Sequence, residues 1–195
     1  MLLCQQTDKF TDEKLVSLVL ENHHYYLCLV KRYENKILRY VYRLSSLKRE
    51  DCEDLVQEIF LKAYKNLNSF SQNLKFSTWL YRIAHNITIS NYRKLQARPK
   101  EVYENSESSM WDSFLSDLDI VKEVNNQLLN ENIWKILDKL PAKYREVLVL
   151  RFLEELEYKE ISDILRKPVN TVGTLIRRAK KQFVKVLEKE KINLS

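Results

Sequence analysis

Cations and aromatic rings alternate along one face of the segment from Lys75 to Arg93, which contains no acidic residue. The residues that helical spacing assigns to this exposed face are Tyr81, Arg82, His85, Thr88, Tyr92 and Arg93, and those assigned to the buried face are Trp79, Leu80, Ile83 and Ile87. Cations neutralise phosphates, and rings stack on unpaired bases at roughly 1–3 kcal/mol each. The preceding loop, residues 70–75, adds amide and hydroxyl groups suited to a base edge. The pattern predicts a surface for single-stranded nucleic acid.

A second basic surface is predicted on the last helix, residues 170–190. Its apolar face holds Val172, Ile176, Ala179, Phe183 and Leu187, and its polar face holds Asn170, Thr174, Arg177, Arg178, Lys181 and Lys185. Arg and Asn read guanine and adenine edges in the major groove, and Lys contacts phosphates. A basic amphipathic helix also suits a membrane surface. The short helix Tyr158–Leu165 and the tight connection after it give the helix-turn-helix order, so we favour DNA as the partner.

An acidic helix precedes the first basic segment and has a different chemistry. Residues 50–58 hold five acids and no base. The apolar arc of this helix is predicted to consist of Cys52, Leu55, Ile59, Ala63 and Leu67. Asp54, Gln57 and Glu58 point the other way and surround Leu61. An apolar centre with an acidic rim suits a basic partner helix, but a solvated face with one surface leucine fits equally well.

Long helices in an all-α fold are the elements expected to hold these surfaces. The chain has 195 residues and a formal net charge of +6, with one glycine and three prolines. Phosphate-cradling loops need several glycines, and the hairpins and bulges of sheets also depend on glycine. The composition therefore excludes nucleotide-binding enzymes of those classes and disfavours a large β-sheet.

Charge blocks divide the chain into two domains and a linker. Eight basic residues and no acid occur in 59–100, six acids and no base in 101–121, and nine basic residues against two acids in 166–191. Two basic regions with an acidic spacer suit two contacts with a polyanion. The predicted division is a domain at 10–97, a linker at 98–130 with a weak helix near its end, and a domain at 131–190. The 3–4 spacing of Trp111, Phe114 and Leu118 suits docking of part of the linker.

Local signals predict three helix starts. Asp51 stands at a cap position of the acidic helix, with Asp54 three residues later. Ser77 is a predicted cap flanked by Phe76 and Tyr81 at the spacing of a hydrophobic staple. Pro141 begins a helix of the second domain, because its missing N–H costs nothing there.

The three cysteines, Cys4, Cys28 and Cys52, contain no CxxC pair, and we expect reduced thiols. His24 and Cys28 can share a helix face, but zinc needs four ligands and no second cluster supplies the others. We therefore expect neither a metal nor another cofactor. The N-terminal segment is too short and polar for a signal peptide, and no apolar run approaches about 18 residues. A soluble, cytoplasmic protein is the expectation.

Two sets of motifs resemble a known family. The segments DCEDLVQEIFLKAY (51–64) and KFSTWLYRIAHN (75–86) resemble region 2 of bacterial sigma-70 family sigma factors. The segments LPAKYREVLVLRF (140–152), EYKEISDIL (157–165) and PVNTVGTLIRRAKKQF (168–183) resemble region 4. The size of the chain, without a region 3 domain, is similar to the extracytoplasmic-function (ECF) group.

The resemblance implies a protein that binds core RNA polymerase, directs promoter-specific initiation and catalyses no reaction. The residues implied to dock on the clamp helices of the β′ subunit are Asp54, Gln57, Glu58 and Leu61. The residues implied to open and hold the minus-ten element are Asn73, Lys75, Tyr81, Arg82, His85, Asn86, Tyr92 and Arg93. The residues implied to read the minus-thirty-five element are Asn170, Thr171, Thr174, Arg177, Arg178 and Lys181.

Further partners follow from the resemblance. The first helices of region 4 would pack on the tip of the β flap, and the acidic linker would thread near the RNA exit path. An anti-sigma factor is an expected partner, and a small-molecule substrate is not. The chain departs from the family at Glu155, where glycine is usual, and at Gly173 and Leu175, where Lys and Arg are frequent. We therefore expect the turn at Glu155 and the promoter sequence to differ from those typical of the family.

A free-standing helix-turn-helix regulator that acts without polymerase is the alternative. Such a protein needs neither the aromatic and basic face nor the acidic docking helix. An RNA-binding or nuclease-like enzyme is a third interpretation, but it lacks a convincing carboxylate or metal constellation. Glu154, Glu155 and Glu157 are near each other, and a solvated turn explains them better.

Overall fold

The computed structural model describes residues 2–7, 9–45, 47–71, 73–96 and 127–189, and every regular element in these ranges is a helix. The all-α prediction is therefore confirmed for the part of the chain that is described. The chain divides into two compact units, and the first ends near Leu95. The predicted linker features at Trp111, Phe114 and Leu118 lie outside the described residues.

The N-terminal unit contains five α-helices within the described ranges. They are α1 (Leu2–Thr7), α2 (Asp12–Glu21), α3 (Tyr26–Ser45), α4 (Arg49–Asn66) and α5 (Phe76–Gln96), with 3₁₀ turns at His23–Tyr25 and Leu67–Ser69. An apolar stripe runs along α3 and is buried at Leu29, Tyr33, Ile37, Tyr40, Val41 and Leu44. The predicted arc of α4 is buried as well, and α4 packs against α3.

Two predicted helix starts in this unit are wrong. Helix α4 begins at Arg49, so Asp51 lies in its first turn, where a carboxylate interacts favourably with the helix dipole without capping. Helix α5 begins at Phe76, which places Ser77 inside the helix. The Phe76 N–H donates to Glu13 Oε1 of α2 at 3.4 Å, so a carboxylate from another helix takes the capping role.

The orientation predicted for α5 is wrong at Tyr81 and Thr88. The buried residues of this helix are Phe76, Thr78, Leu80, Tyr81, Ala84 and Thr88. Tyr81 is only 5% exposed, and its ring packs edge-on against Tyr40 of α3 with centroids 5.0 Å apart. Trp79, Ile83 and Ile87, which were assigned to the buried face, are each only partly buried. The helix is therefore rotated so that Tyr81 enters the core and Trp79 moves toward its edge.

The C-terminal unit contains four described α-helices and one π-helical turn. They are α6 (Gln127–Asp138), α7 (Ala142–Leu148), the turn Val149–Leu153, α8 (Tyr158–Leu165) and α9 (Val169–Lys189). Pro141 immediately precedes α7, and α8 has the bounds that the sequence predicts. The side chains at the centre of the core are Ile136, Leu150, Ile161, Val172 and Ile176.

The cysteine prediction is wrong for two of the three thiols. Cys4 of α1 and Cys28 of α3 are joined in a disulfide, whereas Cys52 is free and buried. The pairing depends on α1 folding back onto α3, and no local sequence motif predicts that contact. Among the described helices, none is both long and apolar enough to cross a membrane.

Candidate functional site

The outer surface of α4 carries the acidic residues singled out in the sequence. Asp54, Gln57 and Glu58 are exposed, and Leu61 exposes 60% of its surface beside them. The spacing i, i+3, i+4, i+7 brings these four residues, hereafter the docking face, onto one side of the helix. The opposite arc of α4 is buried, which fixes the orientation of the docking face. The arrangement offers an apolar centre and a negative rim to a basic partner.

Tyr64 extends the docking face and was missed in the sequence. It lies three residues after Leu61, exposes 38% of its surface, and packs against Tyr26 with ring centroids 4.9 Å apart. The Tyr26 hydroxyl donates to the Phe60 carbonyl at 2.6 Å, and burial raises the pKa of Tyr26 above its ordinary value. A neutral, hydrogen-bonded tyrosine therefore ties the start of α3 to the helix of the docking face. The i+3 spacing from Leu61 was the available signal for Tyr64.

The solvent side of α5 presents a narrower basic surface than the sequence predicts. Asn86 and Arg93 are exposed, and Arg82, one turn before Asn86, is partly exposed. Trp79 lies one turn before Arg82 and is also partly exposed. Together these four residues place one ring, one amide and two cations along one side of the helix. This combination can contact phosphates and a flipped base.

The other residues predicted for this surface of α5 are buried to different extents. Tyr81 is in the core, so its predicted role as a stacking ring is wrong. His85 is partly buried, and its Nδ1 lies 3.2 Å from the Tyr40 hydroxyl, which couples it to the core. Tyr92 is partly exposed near the end of α5. Tyr81 is therefore lost from this surface, and His85 is partly directed toward the core.

The loop before α5 is anchored by aromatic rings. Phe70 packs edge-on against Phe76 and Trp79, with centroids 5.8 and 5.5 Å away. The Leu74 N–H donates to the Ser71 carbonyl at 3.0 Å, so the chain turns before it enters the helix. Asn73 and Lys75 are exposed. The loop therefore presents its amide and its cation to solvent immediately before α5 begins.

Helices α8 and α9 form a helix-turn-helix with a hydrogen-bonded turn. Arg166 ends α8 in the left-handed region at φ 51°. The Ser162 hydroxyl donates to the Lys167 carbonyl at 2.5 Å, and the Lys167 N–H donates to the Ser162 carbonyl at 3.1 Å. These contacts fix the direction in which α9 leaves the turn.

The polar side of α9 carries the residues predicted to read duplex DNA. Asn170, Thr171, Arg177, Arg178 and Lys181 are exposed, and Thr174 is partly exposed. The Thr174 hydroxyl donates to the Asn170 carbonyl at 3.0 Å, so it is partly occupied by its own helix. Val172, Ile176 and Ala179 are buried on the opposite side as predicted, while Phe183 and Leu187 are partly buried.

An aromatic ring lies beside the single glycine of the recognition helix. A Cβ placed on Gly173 would meet Cε2 of Tyr158 at 3.5 Å, which is ordinary van der Waals contact. The Arg151 guanidinium lies 5.5 Å from the centre of the same ring, and its Nη1 donates to the Leu156 carbonyl at 2.9 Å. Tyr158 is 40% exposed. The ring therefore occupies space next to Gly173 on the side of α9 that faces α8.

Glu155 adopts the conformation that glycine would adopt in the turn before α8. Its φ is 56°, in the left-handed region that favours glycine. The turn therefore places a non-glycine residue in the left-handed region, and the hydrogen bond between Arg151 and the Leu156 carbonyl braces it.

Comparisons with known proteins agree with both units. The family Sigma-70 region 2 matches residues 29–98, and the family Sigma-70, region 4 matches residues 130–183. The ECF RNA polymerase sigma factor SigW of Bacillus subtilis is 41% identical over 164 residues, which is 82% of this chain and 87% of SigW. These matches cover both candidate nucleic-acid surfaces and the docking face.

Two solved structures share the fold. The structure of CnrH in complex with the cytosolic domain of CnrY has a TM-score of 0.67 at 23% identity, over 91% of this chain and 97% of CnrH. The sigma factor RpoE in complex with the anti-sigma factor NepR from Bartonella quintana has a TM-score of 0.60 at 22% identity, over 82% of this chain and 94% of RpoE. With the family matches and the SigW identity, the chain belongs to the sigma-70 family as an RNA polymerase sigma factor of the ECF group.

Proposed function

We propose that this sigma factor binds core RNA polymerase through the docking face of α4, which contacts the clamp helices of the β′ subunit. The observation that carries the proposal is Leu61, which is 60% exposed among Asp54, Gln57 and Glu58. A leucine that exposed on a helix with a fully buried opposite arc has no role in the core of its own unit. Burying it against a partner removes apolar surface from water, and the acidic rim selects a basic partner.

We propose that the loop 70–75 and α5 bind the minus-ten element as a single strand. Asn73 and Lys75 lie in the loop, and Arg82, Asn86 and Arg93 lie on the helix. The stacking ring in this proposal is Trp79, which replaces the buried Tyr81. Trp79 is held edge-on by Phe70, so its ring is oriented before the base arrives. His85 and Tyr92 lie on the same helix and would make secondary contacts with the strand.

We propose that α9 lies in the major groove of the minus-thirty-five element. The reading residues are Asn170, Arg177 and Arg178, with Thr171, Thr174 and Lys181 at the backbone or base edges. Supporting this, the helix-turn-helix turn is fixed by hydrogen bonds, and the basic side of α9 is exposed along its length. Specificity for duplex DNA then comes from bidentate contacts of Arg and Asn.

The remaining proposals concern boundaries and partners. We propose that the polymerase and minus-ten domain spans 10–97, the linker 98–130, and the minus-thirty-five domain 131–190. The first helices of the second domain would contact the β flap, and the acidic linker would lie near the RNA exit path. The solved structure of the sigma factor RpoE in complex with the anti-sigma factor NepR is the precedent for an anti-sigma partner of this chain. We expect action in the cytoplasm and no catalytic activity.

The docking proposal is tested by Leu61→Asp, with Leu20→Asp of α2 as the matched control. Leu20 is 48% exposed and lies off the docking face, so both variants place one carboxylate at an exposed leucine. We expect Leu61→Asp to weaken binding to core polymerase by roughly thirtyfold or more, as loss of a central interface residue does. Leu20→Asp is expected to bind like the wild type, and both are expected to melt near the wild-type temperature. Equal polymerase affinity of the two variants refutes the docking face.

The free-standing regulator is not favoured. A regulator of that kind needs only the C-terminal helix-turn-helix, whereas the N-terminal unit matches sigma region 2 over residues 29–98. A protein that binds only duplex DNA needs neither an exposed leucine in an acidic rim nor a basic surface with an aromatic ring.

A further inference from the structure

The N-terminal helix α1 is fastened to α3 by one covalent bond. The Cα atoms of Cys4 and Cys28 are 5.1 Å apart, within the range of about 4.4–6.8 Å that disulfides span. Cys28 is 5% exposed, whereas Cys4 is only partly buried. A reagent in solution therefore reaches the Cys4 sulfur more readily than the Cys28 sulfur.

The chain after α1 has a second, non-covalent attachment. Arg32 of α3 donates to the Thr7 carbonyl at 3.2 Å and to the Phe10 carbonyl at 3.0 Å, and it forms a 2.6 Å ion pair with Asp12. This clamp holds the connection between α1 and α2 whether or not the disulfide is present. Helix α1 itself has six residues, and isolated helices shorter than about 12–15 residues are marginal in water. The contacts of Arg32 begin at Thr7, so the disulfide adds a covalent attachment for the part of α1 before it.

The disulfide also lies close to the support of the docking face. Cys28 is two residues after Tyr26, which hydrogen-bonds the Phe60 carbonyl and packs against Tyr64 of α4. Fixing the first turn of α3 fixes the tyrosine on which Tyr64 rests. A surface held in its bound arrangement before the encounter binds more tightly, because less freedom is lost on binding.

The third cysteine does not compete in this chemistry. Cys52 is fully buried, and burial raises its pKa to about 12. Since the thiolate is the reactive form, Cys52 stays out of thiol–disulfide exchange near neutral pH. Oxidation of the three cysteines therefore has one intramolecular product.

We propose that Cys4 and Cys28 are a reversible thiol–disulfide site, and that closing it stabilises the N-terminal unit and tightens binding to core polymerase. The inference rests on the proposed docking face for its second part only. A protein that works where thiols are kept reduced uses a disulfide of this kind as a reversible modification. The site responds to low-molecular-weight disulfides such as oxidised glutathione.

The exchange balances in two steps. The Cys4 thiolate attacks one sulfur of the small disulfide, whose S–S bond breaks, and one small thiol leaves with a proton. The Cys28 thiolate then attacks the Cys4 sulfur of this mixed disulfide, and the second small thiol leaves with a proton. Cys4 and Cys28 lose two electrons and two protons in all, and the small disulfide gains them.

The test uses the full chain equilibrated in mixtures of reduced and oxidised glutathione. After an acid quench, the unfolded protein is alkylated with a maleimide polymer and the tags are counted on a gel. We expect three tags in the reducing mixtures and one, on Cys52, in the oxidising mixtures. Return to three tags on adding reduced glutathione shows reversibility. Three tags at every ratio overturn the proposal.

Thermal melting tests the structural effect without polymerase. Oxidised wild type is expected to melt roughly 10 °C above the reduced form, since the bond closes a loop between residues 24 apart. Cys4→Ser is expected to melt like the reduced form in both buffers. Cys52→Ala is the control that loses a thiol outside the site, and it is expected to keep the redox-dependent difference. Equal midpoints for oxidised and reduced wild type overturn the stabilisation.

Polymerase binding separates this proposal from the docking proposal. We expect the oxidised wild type to bind core polymerase about threefold more tightly than the reduced form, and Cys4→Ser to show no redox dependence. Equal affinity in both states overturns the coupling while leaving the docking face intact. Loss of binding in both states refutes the docking face, and the tag count and melting difference then still support the disulfide site.

Discussion

Helices α5 and α9 are both 21 residues long and both carry a basic face, yet only α9 has the orientation that the sequence predicts. In α9 the residues assigned to the core, Val172, Ile176 and Ala179, are at most 2% exposed. In α5 the assigned core residue Trp79 is partly exposed, and Tyr81, assigned to the surface, is 5% exposed. One helix was predictable by angle alone, and the other was not.

The difference arises from how apolar and polar residues are distributed. The buried and exposed sides of α9 differ sharply, since aliphatic residues face long cations across the helix. Around α5, aromatic and aliphatic residues occupy most of the circumference, so several orientations bury similar apolar area. The choice is made by a partner, because Tyr40 of α3 offers a ring for Tyr81 to pack against. A nucleic-acid surface that contains aromatic residues is therefore harder to orient from sequence than a purely cationic one.

The largest expected effect is on Tyr81. Tyr81→Ala is expected to lower the free energy of unfolding by about 3 kcal/mol or more, because the side chain is buried and contacts Tyr40. Trp79→Ala is the matched control on the same helix, with a smaller loss of stability because its ring is partly exposed. Urea unfolding followed by circular dichroism measures both. A larger loss in Trp79→Ala would restore the orientation predicted from the sequence.

Arg178 tests the DNA-reading side of α9. Arg178→Ala is expected to weaken binding to a duplex carrying the minus-thirty-five element by roughly tenfold, within the 1–3 kcal/mol range of a bidentate base contact. Lys189→Ala, at the end of the same helix, is the control for loss of charge alone. Anisotropy titration of labelled duplexes gives the affinities, and binding to core polymerase should stay unchanged. Parallel loss of polymerase binding contradicts the assignment.

The substitution Gly173→Ala tests whether glycine at this position lowers the stability of α9. Gly173→Ala is expected to raise the free energy of unfolding by about 1 kcal/mol, because alanine favours the helix interior. The added Cβ meets the Tyr158 ring at ordinary contact distance, so no strain opposes the gain. Thermal melting of the two proteins measures it. A less stable variant would mean that the ring of Tyr158 cannot tolerate the methyl group.

Glu155 carries the smallest expected effect. Glu155→Gly is expected to stabilise the protein by about 0.5–1 kcal/mol, because relief of left-handed strain outweighs the added freedom of the unfolded chain. Glu155→Ala retains a Cβ and is expected to change stability by less than about 0.5 kcal/mol. Chemical denaturation of the wild type and the two variants measures the difference, compared at the same dependence of the free energy of unfolding on denaturant concentration. An equal gain in stability from Glu155→Gly and Glu155→Ala would show that backbone strain is not the cause.

The sequence predicts those features that depend on neighbours within a few residues. The stripe of α3 and the docking face of α4 have spacings of three, four and seven residues, so both follow from helix geometry. The cap of α5 comes from Glu13 on α2, and the orientation of Tyr81 comes from Tyr40 on α3. The partner of Cys28 is 24 residues away. Such contacts depend on how helices fold back on each other, which no local pattern contains.

The central claim is that the docking face and the two DNA surfaces act together in promoter-specific initiation. It is tested most directly by mixing the purified protein with bacterial core RNA polymerase and mapping transcripts from a fragmented genomic library. The account predicts co-elution with core polymerase and new, discrete start sites, both lost in Leu61→Asp and retained in Leu20→Asp. Binding to duplex DNA without binding to core polymerase, in protein free of any inhibitor, would contradict it and indicate a free-standing regulator.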